Sequence, residues 1–185
     1  MMPVIRISDA ALVDLKSIAT WEGTKTPSLT VEALVKEKME ALGLERDIAD
    51  TTGDNLPDED LEFEDAPGLS FTRVVSASVN KTELRRANWA RVLLSVISAV
   101  KDTGFDGPGL SKELQVPSRV GRFEDHGFTF HDDLGISVQG QSAGDAWREA
   151  QRLANKYSIP VTVRFQWREN PKAQHPGRTG VLRAG

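Results

Sequence analysis

Between Asp47 and Ser70 the chain carries nine acidic side chains and no basic one, with two prolines and few large apolar residues. Like charges at that density repel, and so little apolar surface does not offset the entropy of ordering a compact core. The stretch reads as an acidic linker over 47–70, which leaves 1–46 and 71–185 to fold as separate parts of the 185-residue chain. Leu61 and Phe63 alternate with acids, so this part of the linker can also dock as a short strand on one of the domains.

Charge divides along the same lines. Residues 1–46 hold six basic and seven acidic side chains, and residues 71–185 hold seventeen and eleven. The net charge of −4 therefore conceals a C-terminal part that is basic on its own, which permits contact with a polyanion without establishing one. The chain has no cysteine, so disulfides, zinc–thiolate centres and cysteine nucleophiles are excluded. No apolar run approaches the roughly 20 residues of a membrane span. The opening MMPVIRISDA lacks the basic-then-apolar order of a signal peptide. The expected setting is the cytoplasm, with no membrane partner.

In the first part, Val4-Ile5-Arg6-Ile7-Ser8 alternates with a period of two, so Ile5 and Ile7 share one face and Val4, Arg6 and Ser8 the other. Ser8 or Asp9 then caps a helix running to about Thr20, with Leu12, Leu15, Ile18 and Ala19 along one stripe, and Gly23 breaks it. Thr24-Lys25-Thr26-Pro27 opens a second helix, with Val31, Leu34, Val35, Met39 and Leu42 on its apolar face and Gly43 as a left-handed stop. One strand and two helices in about 45 residues bury too little apolar surface to stand alone. Dimerisation is the available remedy. Two strands paired antiparallel turn Ile5 and Ile7 onto the four helices and present Val4, Arg6 and Ser8 as a ribbon that fits the major groove of B-DNA.

On Ile5-Arg6-Ile7-Ser8, the helix ending at Gly23 and the Thr24-Lys25-Thr26-Pro27-Ser28 start of the second helix, residues 3–45 resemble the ribbon-helix-helix (MetJ/Arc) superfamily. The resemblance covers about a quarter of the chain. It implies that Val4, Arg6 and Ser8 read base edges, and that Thr24, Lys25, Thr26 and Ser28 hold a phosphate at the second helix's N-terminus. Helix N-termini carry unsatisfied donors and partial positive charge, which suits the second role independently. The strand offers one strong donor, Arg6, and the module is slightly acidic, so the competing reading is a module that only dimerises.

The C-terminal part is expected to be α+β, with a mainly antiparallel sheet and two helices: a strand over Phe71–Val79, a helix from Glu83 to about Thr103, short strands at Phe128–Phe130 and Gly135–Val138, a helix capped by Ser142, and a strand at Val161–Trp167. No element is assigned over 104–121, and the tail from Arg168 is expected to be irregular. Trp147 and Trp167 sit on apolar faces and read as core. Arg85, Arg86 and Arg91 read as a solvated helix face. Arg164, Arg168, Lys172, Arg178 and Arg183, with few acids between them, are the further candidates for nucleic-acid contact.

His126, His131, Asp132 and Asp133 form the one cluster suggestive of a metal or of general acid–base chemistry, but their spacing favours a surface turn. No P-loop, dinucleotide fingerprint, nucleophile elbow or paired-histidine metal motif occurs. No catalytic residue, metal or cofactor is therefore expected. The reading is a non-enzymatic, homodimeric regulator that binds double-stranded DNA. The alternative is an antitoxin-like or adaptor protein whose C-terminal domain binds another protein.

Overall fold

Ser8 sets the first helix. Its backbone is extended, and its hydroxyl accepts a hydrogen bond from Ala11 N at 3.2 Å, satisfying one of the free amides that open α1, Asp9–Glu22. Gly23 ends α1 at a φ of 67°, in the left-handed region, and Thr24 N donates back to Ala19 O. Thr26 Oγ1 accepts from Leu29 N at 3.3 Å at the start of α2, Pro27–Ala41, whose first position is proline. The computed structural model describes residues 6–41, 60–63 and 65–185, and the chain divides into two compact units, 1–46 and 47–185.

The helical part of the first unit is as expected; its strand is not seen. Val4, Ile5, Leu42 and Gly43 lie outside the described residues, and Arg6, Ile7 and Ser8 form no strand. A strand exists only with a partner to share its ladder, and within one copy the described residues of this unit offer none.

Part of the acidic stretch docks on the second unit as a short strand, as the alternation of Leu61 and Phe63 with acids allows. Asp60–Glu62 forms β1, which pairs parallel with the last strand, while 47–59 lie outside the described residues. Thr72–Val79 is β2, and Asn80 and Lys81, at φ of 52° and 64°, turn the chain into β3, Thr82–Glu83. Two consecutive positive φ values match the twist of a tight hairpin. The hairpin displaces the expected helix start from Glu83 to α3, Trp89–Lys101, where the Asn88 side chain accepts from Arg91 N at 2.7 Å. Arg85 and Arg86 thus sit in the preceding turn.

The unassigned stretch holds α4, Gly107–Glu113, and β4, Ser118–Val120. It is followed by β5, Phe128–His131, β6, Ile136–Gln139, α5, Ala143–Tyr157, capped by Ser142, and β7, Val161–Trp167. The tail is not irregular throughout: Thr179–Ala184 is β8, antiparallel to β7. The fold is α+β, with mostly antiparallel pairing, but the described residues form two sheets rather than one, ordered β1-β8-β7-β2-β3 and β4-β6-β5, and three helices rather than two in this unit.

Alternation in β7 turns Val161, Val163, Phe165 and Trp167 inward, all at most 2% exposed, against α3 and α5. Trp89 of α3 lies 5.7 Å from Phe165 and 6.3 Å from Trp147 of α5. Every buried apolar side chain among the described residues belongs to this unit. Buried Glu149 of α5 accepts from Gln115 N at 2.8 Å and pairs with Arg152, which also reaches the Glu113 carbonyl and so ties α4 to α5. Lys156 and then Arg152 hold the Glu113 carboxyl below its ordinary range, against the opposing effect of burial. Leu153, fully buried on α5, is expected to cost about 2–5 kcal/mol when replaced by alanine. Urea unfolding followed by tryptophan fluorescence measures it, and a cost below about 1 kcal/mol would mean the site collapses around the gap.

Candidate nucleic-acid interface

In the first unit, the proposed phosphate anchors gather around the start of α2. Thr26 is spent on its cap, and the Thr24 and Thr30 hydroxyls share a 2.6 Å hydrogen bond. Thr30, whose hydroxyl also donates to Thr26 O, is the one buried residue among those described in this unit. Lys25 and Ser28 are exposed beside them. Of the base-reading candidates, Val4 lies outside the described residues, Arg6 is exposed, and Ser8 is committed to capping α1.

No apolar residue of α1 is buried. Leu12, Leu15, Ile18 and Ala19 are half-buried, as are Val31, Leu34 and Met39 on α2, while Ile7, Val13, Leu29 and Val35 are exposed and Trp21 is 92% exposed. The apolar stripes are formed, and the described residues of this unit leave them partly exposed.

In the second unit the C-terminal cations separate into two groups. Arg164 of β7 and Arg183 of β8 lie on the face of the five-stranded sheet turned away from the core, whereas Arg168, Lys172 and Arg178 lie in the connection between those strands. Register adds Arg73, which the sequence pattern does not single out: it pairs with Gln166, and its Nε and Nη2 donate to Gln166 Oε1 at 3.0 and 2.7 Å. A bulge between Val74 and Ser76 interrupts the alternation of β2, which hides the residue's face from the sequence pattern.

Two of these arginines meet β1. Arg164 Nε donates to both Asp60 carboxylate oxygens, at 2.8 and 2.9 Å, and Arg183 reaches Glu62 at 3.4 Å. Burial raises the Asp60 pKa, but the Thr179 hydroxyl beside it and the Arg164 guanidinium outweigh that effect and hold the carboxyl below its ordinary range.

The histidine–aspartate cluster does not assemble. His126 stacks on Phe123, Asp132 pairs with Arg122 at 3.4 Å, and no group of three or more potential metal ligands occurs among the described residues. The same sheet carries a guanidinium–aromatic cluster that the sequence does not reveal, with Arg119 4.1 Å above Phe123 and Arg122 4.6 Å above Phe130. Glu124, Asp125, Asp132 and Asp133 are all exposed nearby in sequence, which makes this corner unattractive to a polyanion. Trp147 and Trp167 are core residues, as expected.

Comparison with protein-family models, curated proteins and solved structures finds no match for the chain. Among the described residues no helix is long and apolar enough to cross a membrane.

The lowered pKa of Asp60 gives a signed expectation. Its pair with Arg164 contributes fully above the ordinary aspartate pKa, near 4, and is lost as pH falls through the lower folded value. Asp60→Asn is expected to be less stable than the parent at pH 7, with the difference shrinking below about pH 4. Unfolding midpoints measured from pH 7 to 2 test this, and a constant difference would show that the carboxylate's charge does not matter.

Proposed function

We propose that the chain is a homodimeric DNA-binding regulator whose N-terminal unit pairs with a second copy as a ribbon-helix-helix module. The observation that carries the reading is the uncovered apolar surface of α1 and α2. Two capped helices with no buried apolar side chain in α1 are not independently stable, because a helix depends on packing of its apolar face more than on propensity. A second copy supplies the missing surface, with the stripes at Leu12, Leu15, Ile18, Leu34 and Met39 meeting their symmetry mates.

The same pairing gives the strand around Arg6 the partner it lacks, and directs Val4 and Arg6 outward. Ser8 contributes less than the resemblance implies, since its hydroxyl caps α1. Lys25 and Ser28, exposed at the start of α2, meet a phosphate at the positive end of the helix in this reading. Two-fold symmetry makes the preferred DNA site palindromic.

Sedimentation of the full chain and selection from a random duplex pool test the reading together. The expected result is a dimer that retains a palindromic motif. Arg6→Ala erases the motif, and Lys25→Ala weakens binding evenly across sequences, lowering the salt slope by about one for each phosphate no longer neutralised. A monomer would overturn the pairing. A dimer that retains no DNA would favour the adaptor reading.

A further inference from the structure

The outer face of the five-stranded sheet holds its cations in a line. Thr162 pairs with Arg183, Arg164 with Ser76, and Gln166 with Arg73, so Arg183, Arg164 and Arg73 occupy successive levels of the sheet on three adjacent strands, β8, β7 and β2. Each step moves two residues along and one strand across, or about 8 Å between Cα positions. The result is a diagonal row of three guanidiniums, set among Ser76, Ser78 and Thr162, none of which is buried.

Carboxylates stand at both margins. Asp60 and Glu62 come from β1, and Glu83 of β3 pairs with Ser78 at the other edge. With β1 docked, its two carboxylates lie on two of the three arginines, Asp60 on Arg164 and Glu62 on Arg183. An acidic segment thus offsets the positive charge of this part of the face.

The hold of β1 is limited. It is three residues long and pairs on one side only. The Glu62–Arg183 pair is largely exposed, and such pairs contribute little. Its anchors are the Asp60–Arg164 pair and two apolar side chains packed against the core, Leu61 and Phe63, the Phe63 ring lying 5.8 Å from that of Trp167 over Gly180. A Cβ on Gly180 would stand 3.0 Å from the Phe63 ring.

We propose that this arginine row binds the phosphate backbone of duplex DNA, and that β1 occupies the row as an acidic competitor in cis. The inference rests on the DNA-binding reading but uses a different surface from the ribbon. Phosphates and the β1 carboxylates satisfy the same donors of Arg164 and Arg183, so the two occupants exclude each other. A mixed-sequence duplex meets the full row only after β1 leaves, which keeps non-specific affinity low and leaves sequence selection to the first unit.

The test uses the full-length chain in an Arg6→Ala background, with a 20-base-pair mixed-sequence duplex as probe. D60N/E62Q is expected to bind about tenfold tighter than its parent at low salt, and R164Q/R183Q added to it to abolish the gain. Between 50 and 200 mM salt, the first variant should lose about ten times more affinity than the second, as two phosphate contacts require. No gain, or a gain that survives loss of both arginines, would overturn the proposal.

A second variant guards against misfolding. Glu62 and Val181 are Cα partners on the outer face, and the chain has no other cysteine, so E62C/V181C can form one disulfide that locks β1 in place. The reduced form is expected to bind the duplex at least tenfold more tightly than the oxidised form, and equal affinities would overturn the proposal. If random-pool selection yields no Arg6-dependent motif while D60N/E62Q still gains, the ribbon reading falls and the sheet face stands. If the motif is retained and D60N/E62Q gains nothing, the reverse holds.

Discussion

Trp167 is the residue on which most of the second unit converges. Its ring is fully buried and meets Phe165 at 4.7 Å, His175 at 4.8 Å and Phe63 at 5.8 Å. Its indole Nε1 donates to Gly68 O at 2.8 Å, its backbone N donates to Arg178 O, and its register partner across the sheet is Thr72. One residue, through its ring and its backbone, thus joins the segment after β1, the start of β2, the connection that returns as β8, and the main core. Buried aromatics contribute through area and through edge-to-face geometry, and their polar atom must find a partner. Here that partner is a backbone carbonyl of the acidic stretch, which explains how a highly charged segment is drawn into the sheet.

The two units solve the problem of stability differently. The second closes a core between a sheet face and two helices, then fixes α4 to α5 through Glu113, Glu149 and Arg152. The first has good local signals, two capped helices and a left-handed glycine between them, yet leaves its apolar stripes half in solvent. Local capping contributes on the order of 1 kcal/mol per cap and does not replace a core. The dimer proposed for this unit supplies that missing cover, so its oligomeric state and its proposed function are tested by the same measurement.

What the sequence makes legible follows the range of its signals. Ser8, Thr26 with Pro27, and Ser142 mark helix starts within three residues, and those starts are readable. Val161–Trp167 alternates strictly and is readable in full. The Asn80-Lys81 turn is hidden because it adopts positive φ twice without a glycine to announce it, so β3 is absorbed into the helix expected after it. Thr179–Ala184 is hidden because Gly180 and the alternating polar positions give a weak local pattern; what makes it a strand is register with β7 and the Phe63 ring closing over Gly180. The candidate arginines are visible as charges, but that Arg73, Arg164 and Arg183 share a face is a property of cross-strand register, which a bulge in β2 conceals.

The same register changes the meaning of the acidic stretch. By charge alone it is a spacer, because nine acids without a base repel one another and any core. Two of its carboxylates nevertheless reach the arginines of β7 and β8, while Leu61 and Phe63, on alternate positions, pack against the core. The alternation lets one short strand bury apolar groups on one side and neutralise cations on the other. An edge strand so charged also discourages further pairing of the sheet with another chain. The acids and the apolar pair together hold the strand: Asp60 ties it to Arg164, and Leu61 and Phe63 tie it to the core. The acidic character that divides the chain into two parts is thus also part of how the second one is finished.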